Sequence, residues 1–551
     1  MSTNPFLRVK SVEQSIRDTD EPDSKLRKDL TWWDLTVFGV AVVVGAGIFT
    51  LTARTAGNVA GPSVTLAFVL AAIACALAAL CYAEFASTVP VAGSAYTFSY
   101  ATFGEFVAWI IGWDLILEFA LAASVVAKGW SHYLNQFLCL ITGADASQTS
   151  YTVIAWGDPS GAFGGFDWGA VTLIAVLTLL LSLGTKLSSI VSLVITAIKV
   201  SVVLLVIVVG AFYISPENYS PFIPESEAAD TAGAASGLHQ TLFSLMTGSG
   251  GSTYGWYGLL AAASLVFFAF IGFDVVATTA EEVRNPQRDL PRGILGSLAI
   301  VTVLYVGVTL VLTGMVNYTE LKGDSATLAT AFGLHGITWA QWIIVIGALS
   351  GLTTVVMVML LGQARVGFAM ARDGLFPRSL AKTGNRGTPV RITVLVGCVS
   401  GFLAAFLPMG ELEEMVNIGT LFAFVLVSIG VIVLRKTRPD LPRGFRVPWV
   451  PVVPILAVAA CIWLMLNLAA LTWVRFVLWM VIGLVVYVAY GMSHSVLGMR
   501  ERGEMPPLLD AGDLAGPEVT QVPEVAPLQD RVVDEPEDRG DADVADPQAP
   551  R

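Results

Sequence analysis

The chain has 551 residues, of which 55% are apolar and 13% charged, with a mean hydropathy of +0.71. Soluble proteins average about 25% charged residues, so this composition argues against a soluble enzyme, a disordered protein or a nucleic-acid binder and leaves a polytopic membrane protein. The net charge of −12 is local, because fourteen acidic residues face four arginines between Glu501 and Arg551. That tail, rich in Pro, Ala, Asp and Glu, is expected to be disordered.

Residues 1–30 are polar and charged with no cleavable signal, and are expected to form a cytoplasmic N-terminal tail. Runs long enough for a crossing of about 20 residues then follow at roughly 32–58, 63–89, 102–128, 168–185, 188–214 and 256–282. The second set lies at roughly 292–316, 338–371, 390–408, 414–434, 450–470 and 473–492. The pattern predicts an all-α membrane protein of twelve spans, with a hairpin near Thr472–Arg475. With the N-terminus inside, 26 of the 31 basic residues fall in cytoplasmic segments. This is the bias that the positive-inside rule expects, so both termini are predicted to be cytoplasmic. Two large outer loops, about 139–167 and 215–255, carry no Lys or Arg.

Cys75, Cys81, Cys139, Cys398 and Cys461 sit in or beside apolar runs without a CxxC pair, as small packing residues do. His132, His239, His335 and His494 are scattered. No catalytic constellation or metal-ligand spacing is visible, so no enzyme activity, metal or cofactor is expected.

Two runs carry breaks. The first contains Gly45-Ala46-Gly47-Ile48-Phe49, about 13 residues after Trp33, which is near mid-membrane at 1.5 Å per residue. The sixth contains Phe268-Ala269-Phe270-Ile271-Gly272-Phe273-Asp274. Five spans separate them, so they cross in opposite senses. Paired Gly-interrupted segments in two inverted halves point to a transporter site at the midplane. Unwound backbone there must line a protein-walled cavity, with exposed amides suited to an anion and freed carbonyls to a cation. A molecule carrying both an α-carboxylate and an α-ammonium fits, which makes an amino acid the natural substrate class.

These motifs, with PVAGSAYTFSYATFGE (Pro90–Glu105), GWDLILEF (Gly112–Phe119), EEVRNPQRDLPRGI (Glu281–Ile294) and GQARVGFAMARDGLFP (Gly362–Pro377), resemble the amino acid–polyamine–organocation (APC) superfamily. The similarity is nearest to its cationic amino acid transporter branch. The resemblance implies a LeuT-type 5+5 inverted repeat with discontinuous spans 1 and 6. The repeat core would cover 31–435, with spans 11 and 12 appended over 436–495 and the acidic tail over 496–551. It also implies that amides around Gly45, Ala46, Gly47 and Ile48 hold the substrate carboxylate, and that carbonyls of Phe268, Ala269 and Ile271 receive its ammonium. Phe270 and Phe273 become gate or wall candidates.

Lys199 lies eleven residues into the fifth span, about 16 Å along it and too deep to snorkel easily. Intramembrane charges are functional candidates by default. In the resemblance, a lysine here stands where sodium-coupled relatives bind sodium, with Thr353 and Thr354 on the eighth span nearby. The expected mechanism is therefore proton-coupled symport in the cytoplasmic membrane, with a sodium-independent exchanger or a cationic amino acid or polyamine carrier as alternatives. Glu118 is expected to bond backbone or aromatic donors, and Asp274 to line the inner path or cap the second half of span six. Glu84 is expected to be a structural pair partner, and Arg284, Arg288 and Arg292 to be anchors and salt-bridge partners. Met359 would disfavour a long cationic side chain, which points towards neutral amino acids.

Overall fold

The computed structural model describes Arg8 and residues 29–89, 94–146, 149–154, 165–184, 189–228, 237–248, 252–323, 327–382 and 388–504. Most of the expected N-terminal tail and the acidic tail beyond 504 lie outside these residues. The chain divides into units Met1–Met499 and Arg500–Arg551, and the architecture described here is that of the first.

Each apolar run expected from the sequence forms helix over most of its described length. The main helices are α1 (Trp32–Val43), α2 (Val64–Thr88), α3 (Ser94–Thr102), α4 (Glu105–Thr142), α5 (Trp168–Ser182), α6 (Ser189–Gly210) and α7 (Gly255–Val266). They continue with α8 (Pro286–Met315), α9 (Thr338–Arg372), α10 (Val390–Phe406), α11 (Met409–Thr437), α12 (Val452–Leu466) and α13 (Ala470–Val486). Between α1 and α2 runs a second, wide-turned helical stretch made of Gly47–Leu51, Thr52–Thr55 and Ala56–Ala60. Local chemistry sets the ends. Thr31 and Asp34 form a capping box that starts α1, Asp167 caps α5 by accepting from the Ala170 amide, and Pro286 opens α8 at a position that needs no amide donor.

Among the described residues, eight helical segments are long and apolar enough to cross a bilayer, and four shorter apolar helices accompany them. Their outward faces are as greasy as the interior, with Phe212 84% exposed, Val303 73% and Leu179 61%. Water would not tolerate such a surface on a monomer, whereas hydrocarbon does. The chain is an integral membrane protein. Burial then separates centre from periphery, since 89% of the apolar window in Glu105–Thr142 and 83% of that in Gly255–Ala280 are buried, against 22% in Ala470–His494.

Two boundaries differ from expectation. Helix α4 runs on to Thr142 instead of ending near 128, and polar residues in its added turns find partners across it. Asn135 bonds the backbone of Thr149 and Tyr151, and Gln136 bonds the Thr327 hydroxyl. The α12–α13 turn lies at 467–469, so Thr472–Arg475 are already helical. Asn467 folds back onto the Trp463 carbonyl at 2.9 Å, and the backbone of Gln240 and Leu242 docks on the turn at Ala470 and Leu468. The long loops also hold short antiparallel pairs, Val153–Ile154 with Phe166–Asp167 and Glu227–Ala228 with Ser252–Thr253.

Glu84 is a pair partner, as expected. Its carboxylate accepts Arg435 Nε at 2.8 Å and the Val447 amide at 2.7 Å, and lies 3.5 Å from Arg443. This ties α2, α11 and the segment after α11 together. Replacing Glu84 with Gln leaves two guanidinium groups facing a neutral side chain, and should destabilise the detergent-solubilised protein by about 3 kcal/mol. Arg475→Ala, which breaks the half-exposed pair with Glu411, should cost less than about 1 kcal/mol. Thermal melts of the two variants side by side check this contrast.

Candidate functional site

Helix α1 stops at Val44, whose ψ of 89° is not helical. The Val44 amide still bonds Val40 O at 2.9 Å, and the next backbone bond runs from Phe49 N to Gly45 O at 3.4 Å. In between, the amides of Gly45, Ala46, Gly47 and Ile48 have no acceptor among the described residues. Two of the carbonyls released on the α1 side, those of Ala41 and Val43, are taken up by side chains from other helices. Lys199 Nζ on α6 donates to Ala41 O at 2.6 Å, and Tyr305 on α8 donates to Val43 O at 2.7 Å. Further along, Tyr133 on α4 donates to Phe49 O at 2.7 Å.

The second break follows α7. Phe267–Phe270 tighten into a 3₁₀ turn, Ile271 is extended with ψ 137°, and Gly272 takes φ 119°, which favours glycine. A tight-turned stretch, Asp274–Glu282, then leads away. Phe268 O is occupied by the Ile271 amide at 3.2 Å, whereas the carbonyls of Ala269, Phe270 and Ile271 accept no bond from a described residue. Asp274 Oδ1 accepts the released Gly272 amide at 3.2 Å, two residues before its own position.

The two breaks touch. A Cβ placed on Gly47 would lie 2.3 Å from the Cα of Ala269, and one on Gly272 would lie 2.8 Å from Val42 Cγ1. Aromatic rings wall the place. Phe270 packs on Phe68 and Tyr305, with centroids 6.1 and 5.3 Å away, and Phe273 packs on Tyr82 and Phe424. Met359 on α9 is buried. Towards the Ala60 end, Arg54 pairs with the buried Glu413 on α11, and Tyr254 donates its amide to Val59 O at 2.8 Å.

Lys199 is fully buried, with its stem over Gly351 of α9, where an added Cβ would meet its Cγ at 2.9 Å. Thr353 and Thr354 lie on α9 near Gly351, but their hydroxyls donate to Leu349 and Gly351 carbonyls of their own helix. Glu118 does not find the donors expected of it. Its carboxylate is buried against the Thr420 side chain of α11, and both oxygens of Asp114, one turn earlier on α4, are buried without a hydrogen-bond partner among the described residues. Arg284, Arg288 and Arg292 were expected to be salt-bridge partners, yet none pairs with a described acid. All three are exposed, and no acidic side chain of α8 turns outward beside them. Sequence reasoning also missed Tyr305, Tyr133 and Asp114. The available signal was a hydroxyl or carboxyl inside an apolar run, which needs a partner there.

Over residues 30–489 the chain matches the family described as amino acid permease. It is 45% identical over 492 residues to the branched-chain amino acid permease BcaP of Bacillus subtilis, covering 89% of this chain and 98% of that one. The methylthioribose transporter of the same organism is 42% identical, with 86% and 95% covered. The vacuolar cationic amino acid transporter 4 of Arabidopsis thaliana is 30% identical, with 90% and 96% covered.

Tyr305→Phe leaves Val43 O buried without its donor, which should cost about 1–3 kcal/mol of stability. Gly47→Ala should cost at least as much, since the atom it meets is backbone and cannot rotate away. Melting temperatures in detergent, compared with the parent chain, measure both.

Proposed function

The chain belongs to the amino acid permease family, and on that premise we propose that it carries amino acids across the cytoplasmic membrane by alternating access. One observation carries the reading. Four amides without acceptors, at Gly45–Ile48, and three carbonyls without donors, at Ala269–Ile271, converge where two broken helices meet. The amides suit the α-carboxylate of a zwitterion and the carbonyls its α-ammonium. Phe268, Phe270, Phe273 and Met359 would form walls around the side chain. Those apolar walls support a neutral, branched aliphatic substrate, and so does the name of the Bacillus subtilis branched-chain permease.

In this reading the chain is a LeuT-type 5+5 inverted repeat of twelve spans, with both termini cytoplasmic and the last two spans appended. Lys199 substitutes for a sodium ion. Its ammonium holds the Ala41 carbonyl in one state and releases it in another, with Thr353 and Thr354 beside it, and its proton couples transport to the pH gradient. Glu118 lies in the bundle as a second titratable group able to take part.

The test is uptake of labelled amino acids into liposomes containing the purified full-length protein, with and without an inward proton gradient. Leucine, isoleucine or valine should accumulate with the gradient and collapse with an uncoupler, while arginine and lysine should not. Lys199→Ala should lower gradient-driven accumulation about tenfold, the size of a typical coupling energy, without abolishing exchange. Uptake that requires preloaded substrate and ignores the gradient would mark an exchanger. An unchanged pH dependence in Lys199→Ala would remove the coupling role.

A further inference from the structure

Away from the breaks, a groove of about 600 Å³ opens between the start of α1, the first turns of α8 and the segment after α11. It is lined by Trp32, Pro291, Arg292, Leu295 and Phe445. Four of these five are apolar, and the fifth is an exposed guanidinium that pairs with no described residue. Its surroundings add positive charge. Arg288 lies one turn earlier on α8 and Arg446 follows Phe445, both exposed. The acids nearby are committed elsewhere, because Asp34 bonds Thr31 in the α1 cap and Asp440 pairs with Arg438.

The walls are fixed in place. Phe445 donates its amide to Ser87 Oγ at 3.2 Å, and a Cβ on Gly444 would sit 2.3 Å from Gln287 O. On the other side α1 packs closely on α8, since a Cβ on Gly293 would lie 2.5 Å from Leu35 Cβ. Trp32 and Trp33 are 44% and 54% exposed at the rim, as tryptophans are at a membrane–water boundary. An apolar trough of this size with one unpaired cation at its lip matches a molecule that is greasy along its length and anionic at one end.

We propose that this groove binds an anionic phospholipid of the inner leaflet, an acyl chain lying against Trp32, Leu295 and Phe445 and the phosphate against Arg292. The assignment rests on the orientation proposed above, which places this end of α1 and α8 at the cytoplasmic face, where basic pockets between spans recruit anionic headgroups. A lipid seated there bridges α1 to α8 and favours the packing of the inner half of the first broken helix.

Native mass spectrometry of the full-length protein in mixed micelles tests this, with phosphatidylglycerol and phosphatidylcholine of identical chains as probes. The parent chain should retain phosphatidylglycerol preferentially. Arg292→Gln should lower that retention about fivefold, the effect of one basic residue near an anionic surface, and leave phosphatidylcholine unchanged. Leu295→Trp, which fills the trough, should lower retention of both, and melts of each variant establish that it is folded. Equal retention of phosphatidylglycerol by Arg292→Gln and the parent overturns the proposal, as does its displacement by inorganic phosphate alone, which would mark a small-anion site. Because the readout is lipid held in micelles, failure of amino acid uptake would overturn the transport reading and leave this ratio to judge the groove.

Discussion

A carbonyl released from a helix inside hydrocarbon must be given a donor by the protein, since no water is there to supply one. In this chain the bond from Lys199 Nζ to Ala41 O meets that requirement at the first break, and Tyr305 meets it two residues on, at Val43 O. The two donors come from α6 and α8, so the point at which α1 ends is fixed by helices that are themselves unbroken. Tyr133, from α4, donates to Phe49 O on the far side of the break. What is left unserved is a short run of amides at Gly45–Ile48. Helices α6 and α8 thus supply donors to the Ala41 and Val43 carbonyls, while the amides of Gly45–Ile48 have no acceptor among the described residues.

The second break has the opposite balance. Its released amide at Gly272 is taken by Asp274 Oδ1, and its carbonyls at Ala269–Ile271 are left open. In the proposed reading, a site for a carboxylate and an ammonium about one carbon apart needs this pair of opposite shortfalls close together. The close approach of Gly47 to Ala269 supplies that closeness, and any side chain at position 47 would remove it.

Much of this was legible in the sequence because it rests on local signals. The apolar runs give apolar helices, and two glycine-bearing interruptions give two breaks, since glycine and hydrophobic length act within a single segment. The parts that were not legible depend on partners distant in the chain. The extra turns of α4 are held by Thr149, Tyr151 and Thr327, and the α12–α13 turn is set by residues 240–242 docking on it, so neither could be located from its own neighbourhood. Tyr305 looked like any aromatic in an apolar run until the carbonyl of Val43 was found beside it. Glu118 was assigned donors on general grounds, and the structure places it beside Asp114 without them.

The backbone also stitches the halves of the broken helices into two separate pairs. Before α1, Leu30 exchanges bonds with the end of the sixth stretch, its amide to Glu282 O and its carbonyl from the Arg284 amide, each at 3.0 Å. Beyond the breaks, the start of α7 is tied to the end of the first stretch by Tyr254, through its amide to Val59 O and its hydroxyl to Gly57 O. No described backbone bond joins one pair to the other across Val44–Ile48 or Ile271–Gly272 except through the chain itself. Rigid pairs connected by short unbonded segments bend at those segments, where a few dihedrals absorb the change. In the proposed reading, the groups that would grip a zwitterion are therefore also the ones that could move apart with the least loss of hydrogen bonding, so binding and opening would draw on the same few residues.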